Sequence, residues 1–366
     1  MAKIGWAAAV CVAAAGAVGA QMMPFSGTPE LERSLRRLDE LGTVLMIAAH
    51  PDDERTAVLA YYARGKYMRT AYLSLTRGEG GQNLIGAEQG AQLGIIRTQE
   101  LLEARKIDGA EQFFTRAIDF GFTKTAEETL EKWGHDRILS DVVWVIRRYR
   151  PDVVILGFSG TPADGHGQHQ VSAMLGKEAA EVAGDATKFP EQLRYVQPWK
   201  PRRVVRAGFG FGGGRGPGAG AAGANGGRGP TAGAAGSNGG RGPTAGAAGS
   251  NGGRGAAAGG RGAQGAPAAN TPPPGFPQFP QLPPAGEVDT GEFNPILGYS
   301  YEELATLSRS MHHSQGTGAM RRPGPSRADF QYVSGEAISK DAKDPFEGIE
   351  TSWNRVTGGA DRKSVV

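Results

Sequence analysis

Cysteine is almost missing from this chain. The one thiol, Cys11, lies in an apolar N-terminal stretch. Disulfides and cysteine nucleophiles are therefore excluded for whatever folds after it, and a metal ion would be held by His, Asp, Glu or water. Long apolar runs are scarce as well. Trp6 to Val18 is alanine-rich and glycine-interrupted, too short for a good membrane span. With Lys3 before it and Val18-Gly19-Ala20 after it, it has the form of an export signal cleaved before Gln21. The mature chain is expected to be periplasmic or extracellular, with no stable membrane span. Acidic residues are absent from residues 207–286, which carry five arginines. Setting aside those arginines and Lys3 turns the formal charge of +3 into a mildly acidic balance. That balance argues against nucleic acid as a partner.

Glycine is abundant, and residues 207–286 hold much of it. A 13-residue unit, Asn225 to Ser237, recurs identically as 238–250, and a third copy begins at Asn251. Glycine does not fall at every third position, which excludes a collagen helix. Gly and Ala bury too little apolar area to offset chain entropy, so residues 207–286 are expected to be a disordered insertion, becoming a proline-rich spacer over 272–284. Sparse arginines and export argue against an Arg-Gly nucleic-acid segment.

The flanks read as globular. Apolar strand candidates at 43–49, 70–76, 112–118 and 152–158 alternate with helical stretches around 54–65, 87–107, 125–149 and 169–183. This alternation predicts an α/β fold, a Rossmann-like and mostly parallel sheet with helices on both faces, interrupted by the glycine-rich insertion. The domain plan is a signal at 1–20, the first part of the catalytic domain at 21–206, the insertion at 207–286, the closing part at 287–330 and a C-terminal segment at 331–366. Ser300 to Leu304 predicts a capped helix start. Residues after Arg321 show little regular pattern.

Chemistry concentrates at two strand ends. Thr43 to Ile47 runs into Ala48-Ala49-His50-Pro51-Asp52-Asp53-Glu54, and Val153 to Leu156 precedes Gly165-His166-Gly167-Gln168-His169. In open α/β sheets the carboxyl ends of strands are where ligands bind. A helix starting near Pro51 would put His50 and Asp53 on one face. A catalytic zinc site uses three protein ligands and leaves a place for water; His50, Asp53 and one of His166 or His169 supply such a set. Asp52 is then free as general base, and the remaining histidine to stabilise an oxyanion or protonate a leaving amine. Another divalent metal fits the same ligands. His50 and Asp52 with a distant histidine also imitate the two-histidine, one-carboxylate iron triad, against which the strand–helix alternation argues.

These residues resemble the PIG-L/LmbE-like metal-dependent de-N-acetylases. The resemblance rests on Ala49 to Glu54, Thr76 to Asn83, Arg97-Thr98-Gln99-Glu100, Gly165 to Gln170 and His312-His313-Ser314-Gln315, and covers about residues 40–206 and 290–320. It implies zinc held by His50, Asp53 and His169, Asp52 as general base, and His166 as electrophilic or acid partner. It also implies Arg97, and less strongly Asp119, as contacts to substrate sugar hydroxyls. The plain alternative for Arg97 is an ion pair with Glu100 or Glu103 on its own helix. The family's His-Pro-Asp-His is His166-Gly167-Gln168-His169 in this chain, which removes a carboxylate that would tune His166. The implied activity is removal of an N-acetyl group from N-acetylglucosamine-like groups of glycans. The alternatives are an amidase on a non-sugar or thiol-conjugate amide, or a non-catalytic carbohydrate-binding envelope protein. Asp52 argues against the last, because binding alone needs no base.

Overall fold

The computed structural model describes residues 27–208, 281–316 and 324–357. The expected signal at 1–20 and the repeats of the expected insertion lie outside these residues. Among the described residues no helix is long and apolar enough to cross a membrane.

The centre is a seven-stranded sheet in the order β3-β2-β1-β4-β5-β9-β6. Strands β1 (Thr43–Ala48), β2 (Arg69–Ser74), β3 (Glu111–Phe114), β4 (Val153–Leu156) and β5 (Arg203–Ala207) are parallel. Val44 to Ala49 are all 0% exposed, the pattern of a parallel strand covered on both faces. Alternate side chains of β1 enter two cores. Val44, Met46 and Ala48 pack with Tyr72, Ile155, Leu304 and Phe330 on one face. Leu45 and Ile47 pack with Leu73, Val154, Ile146 and Leu175 on the other. This is the two-residue period of a strand, and truncating Leu45 to Ala would cost ~2–5 kcal/mol.

On the first face lie α2 (Thr56–Ala60), α3 (Ala91–Asp108) and α7 (Tyr301–Arg309); on the second lie α5 (His135–Tyr149) and α6 (Gly167–Val182). The expected helix at 125–149 is two: α4 (Ala126–Trp133) ends at Gly134, whose φ of 77° breaks the turn before α5. The stretch at 54–65 forms α only over Thr56–Ala60 and continues as a π turn, Tyr61–Gly65. At the start of α7, Ser300 accepts from the Glu303 N–H and Glu303 accepts from the Ser300 N–H, forming the expected capping box.

Strands β7 (Phe293–Asn294) and β8 (Tyr299–Ser300) form a separate two-stranded sheet, and two other strands extend the central sheet antiparallel. β9 (Arg327–Gly335) pairs with β5, and β6 (Pro284–Asp289) pairs with β9. Both cross the boundaries drawn from sequence, β6 at 286/287 and β9 at 330/331. Phe346 and Ile349 are buried in the same core as Phe330, so the residues after 330 build on this sheet. The lack of pattern read after Arg321 is corrected here. In β9 Phe330 is the one fully buried residue, which leaves little hydrophobic alternation to detect.

The sheet order positions the site. β2 and β3 lie on one side of β1, and β4 and β5 on the other. The carboxyl ends of β1 and β4 thus flank a topological switch point, the crevice where such sheets bind ligands.

Candidate metal centre

His50 leaves β1 into a tight turn rather than a helix. The Asp53 N–H donates to the His50 carbonyl at 3.3 Å, and the His50 N–H donates to Asp53 Oδ2 at 2.7 Å. Tyr72 Oη holds the same carbonyl at 2.5 Å. The helix expected near Pro51 begins at Thr56, so the turn, not a helical face, brings His50 and Asp53 together. His50 Nδ1 lies 3.0 Å from Asp53 Oδ2.

From the end of β4 the chain passes through a loop pinned by Asp164, which accepts from the N–H groups of Ser159, Gly160 and Thr161. His166 caps α6: its Nδ1 accepts the Gln168 N–H at 3.1 Å. Gly167 donates its N–H to Thr123 O at 2.8 Å, and a Cβ there would lie 2.0 Å from Thr125 O. Both facts require glycine rather than proline or a larger residue at this place. One turn into α6, His169 Nε2 faces Asp53 Oδ1 at 3.4 Å, and its ring stacks on Phe158 at 3.9 Å. The His166 ring lies 4.8 Å from that of His169 and 5.2 Å from that of His50.

The hydrogen bonds settle two proton positions. Gln168 is fully buried and meets acceptors at one end, Asp119 Oδ1 at 3.1 Å and Gly121 O at 2.9 Å. That end is therefore the NH₂ group, and Oε1 faces His50 Nε2 at 3.0 Å. His50 must carry a proton on Nε2, which leaves Nδ1 as its free lone pair when neutral. By the same logic His166, with Nδ1 accepting, carries its proton on Nε2 when neutral.

Charge is unevenly shared. Burial alone would lower the His50 imidazole, but the charge and hydrogen bond of Asp53 push it up to about 10. Asp53 works against its own burial and is held well below the usual carboxylate range by His169 and His50. Burial, with His50 and His169 nearby, pushes His166 down to about 3, so it is neutral at neutral pH. Asp52 is exposed to solvent; the protein around it and the charge of Asp53 raise its carboxyl.

The closing segment of the chain supports this turn. Arg309 donates to Asp52 O at 3.2 Å and Gln315 to Pro51 O at 3.1 Å. His312 Nε2 meets Glu54 Oε1 at 3.0 Å, and Arg105 meets the same oxygen at 3.2 Å. Ser314 donates its N–H and hydroxyl to Glu100 at 2.6 and 2.7 Å. These supporting roles of His312, Ser314 and Gln315 were not assigned from sequence, although their motif was visible.

Arg97 is buried beneath the 78–82 loop, with Nη2 donating to Gln82 O at 2.8 Å. Glu100 is taken by Ser314 and Glu103 by Lys106, so the same-helix ion pair does not form. The charge of Arg97 lowers the Asp52 carboxyl, which puts it within electrical reach of the candidate base. Asp119 is buried, and its Oδ1 is engaged by Gln168 and by the Gly121 N–H at 2.8 Å. It stands behind His50, linked to it through the Gln168 amide. The Gln168 side chain likewise meets His50, while His166 takes only the Gln168 backbone N–H, so the change of side chain at 168 acts on a ligand candidate instead of on the oxyanion partner.

His50, Asp53 and His169 offer ligand atoms that all lie within 4.8 Å of one another. Two imidazole nitrogens and one carboxylate oxygen match the donor types of a catalytic zinc site. The lone pair left on His50 Nδ1 points the same way, and the three residues could hold a metal ion.

Residues 45–180 match the family model described as PIG-L, GlcNAc-PI de-N-acetylase. Over 148 residues the chain is 28% identical to the diacetylchitobiose deacetylase of Thermococcus kodakarensis, covering 40% of this chain and 52% of the relative, so it spans about half that protein's length. Among solved structures, N,N'-diacetylchitobiose deacetylase from Pyrococcus horikoshii aligns with 16% identity over 50% of this chain and 70% of that one, at a TM-score of 0.38. GalB, the 4-carboxy-2-hydroxymuconate hydratase from Pseudomonas putida, aligns with 20% identity over 45% and 65%, at 0.36. The stretch that matches the PIG-L family model, residues 45–180, contains both histidine clusters.

Proposed function

We propose that this chain is an exported, zinc-dependent hydrolase that removes the N-acetyl group from N-acetylglucosamine-like groups of glycans or glycoconjugates. One observation carries the reading: the family match over 45–180 contains the convergent His50, Asp53 and His169 with the solvent-exposed Asp52 beside them. The similarity to a diacetylchitobiose deacetylase supports the substrate class.

His50 Nδ1, Asp53 and His169 Nε2 would hold the metal. When bound, zinc lowers the pKa of a water and polarises the amide carbonyl. Asp52 takes the proton of the attacking water, whose oxygen bonds to the acetyl carbon. His166 Nε2–H donates a hydrogen bond to the amide oxygen as it gains negative charge. With Nδ1 occupied as an acceptor and its pKa depressed, His166 suits hydrogen-bond donation better than proton delivery. The raised Asp52 carboxyl is matched to returning its proton to the departing nitrogen as the C–N bond breaks. Acetate and a free amino sugar result.

The test is acetate release by zinc-loaded protein from N-acetylglucosamine compounds and envelope-like oligosaccharides, beside chelator and Asp52→Asn controls. Release that is chelator-sensitive and absent in the variant is expected. No release from protein with stoichiometric metal, across the whole panel, rejects the substrate class.

A further inference from the structure

We propose that Gln168 is a positioning residue of the metal centre, whose neutral side chain orients His50 by bridging it to Asp119. The inference deepens the metal reading above and rests on it. Gln168 makes three side-chain hydrogen bonds, to His50 Nε2 at 3.0 Å, Asp119 Oδ1 at 3.1 Å and Gly121 O at 2.9 Å. Its position in the interior, 0% exposed, denies these groups water as a substitute.

The chemistry of the three partners selects an amide. His50 Nε2–H needs an acceptor. Asp119 Oδ1 and Gly121 O need donors. A carboxylate at 168 would satisfy His50 but turn an oxygen, with no hydrogen to give, towards two other acceptors. An apolar side chain of similar length would satisfy none of them. The amide alone of these three satisfies the imidazole and both oxygens. Its bond to Nε2 fixes which nitrogen of His50 is left for metal and fixes the ring in place, the function an outer partner serves in metal sites. The usual expectation is that a carboxylate behind a ligating histidine strengthens metal binding. Here Asp119 already stands one hydrogen bond further out, and a second acid in contact with it would oppose it.

The test uses the full chain. Zinc affinity is measured by competition with a chromophoric chelator for wild type, Gln168→Leu and Gln168→Glu. The His50 Nε2 proton is followed by NMR in the metal-free protein. Each variant is expected to bind zinc ~10–100-fold more weakly, and the Nε2 proton, protected from exchange in wild type, is expected to exchange with water in Gln168→Leu. Wild-type affinity in Gln168→Leu, or a Nε2 proton equally protected without the amide, overturns the proposal. Tighter zinc binding by Gln168→Glu overturns the requirement for a neutral group. Gln168→Glu retains side-chain volume and keeps the test available if Gln168→Leu fails to fold. If wild type binds no zinc, the metal reading falls and this proposal with it; unchanged affinity in the variants removes this proposal alone.

Discussion

Asp53 and Glu54 are adjacent, and each is buried or half-buried against histidine, yet their surroundings differ in kind. Asp53 lies between His50 and His169, three groups whose donor atoms converge. Glu54 lies between His312 and Arg105, and Arg105 is further tied to Asp108 at 2.6 Å, which accepts from Ser308 at 2.8 Å. In the second cluster charge meets charge and is neutralised across segments. In the first, donors face a common point with lone pairs to share. A cluster of His and acid is therefore not a metal site by composition: what separates the two is whether a full-time cation is present. Arg105 supplies one to Glu54. Around Asp53 the positive charge is a proton on histidine, which a metal ion can replace.

The sharpest way to break this contrast is to exchange the consequences. His169→Ala should lose zinc, by more than the ~10–100-fold expected of an outer partner, with little change in folding stability; metal analysis beside urea unfolding reads both. Asp52→Asn should retain the metal and lose ~10²–10⁴ in turnover, which acetate release measures. Glu54→Ala should do the reverse of His169→Ala and cost ~3–5 kcal/mol of stability, because it leaves buried partners uncompensated. A metal defect in Glu54→Ala without a stability defect would erase the distinction.

Proton linkage sharpens it further. With His50 raised to about 10 in the metal-free site, metal must displace one proton, so zinc affinity should rise about tenfold per pH unit from pH 6 to 8. A flat profile from chelator competition would show His50 to be neutral already. Glu54 follows the carboxylate sign. Its folded value of about 2 lies below the ordinary 4.5, so its contribution is present above pH 4.5 and is lost as pH falls towards 2. Acid unfolding of Glu54→Gln should lack that part of the loss. The smallest effect is expected from Arg309→Ala, which removes one hydrogen bond to Asp52 O, worth ~0.5–1.5 kcal/mol. Its turnover should fall less than tenfold.

Arg203 and Arg206 interrupt the short β5, which was not read from sequence; β1, β2 and β4 were legible because they are buried on both faces and carry apolar runs. β9 was not, since a strand near the sheet edge needs few buried residues. The candidate ligands were legible as well, because short spacing after a strand keeps side chains local. From the residues alone the choice between His166 and His169 was open, and the resemblance pointed to His169; in the structure one caps α6 with its own Nδ1, and the other turns towards Asp53. The place of Gln168 was hidden for a different reason. Its direction is decided by oxygens 47 to 49 residues away, and no local pattern encodes them.

The turn carrying Asp52 is held from a great distance along the chain. Gln315 reaches Pro51 across 264 residues. At a synthesis rate of about 5–20 residues per second, the last of these contacts becomes available some ~13–53 s after the turn itself has been made. Until then the acidic stretch at the end of β1 has its sequence but not its support. Completion of this site is thus an event in time as well as in space, and a stalled or truncated chain would carry the histidines and acids of the first half without the segment that holds their turn.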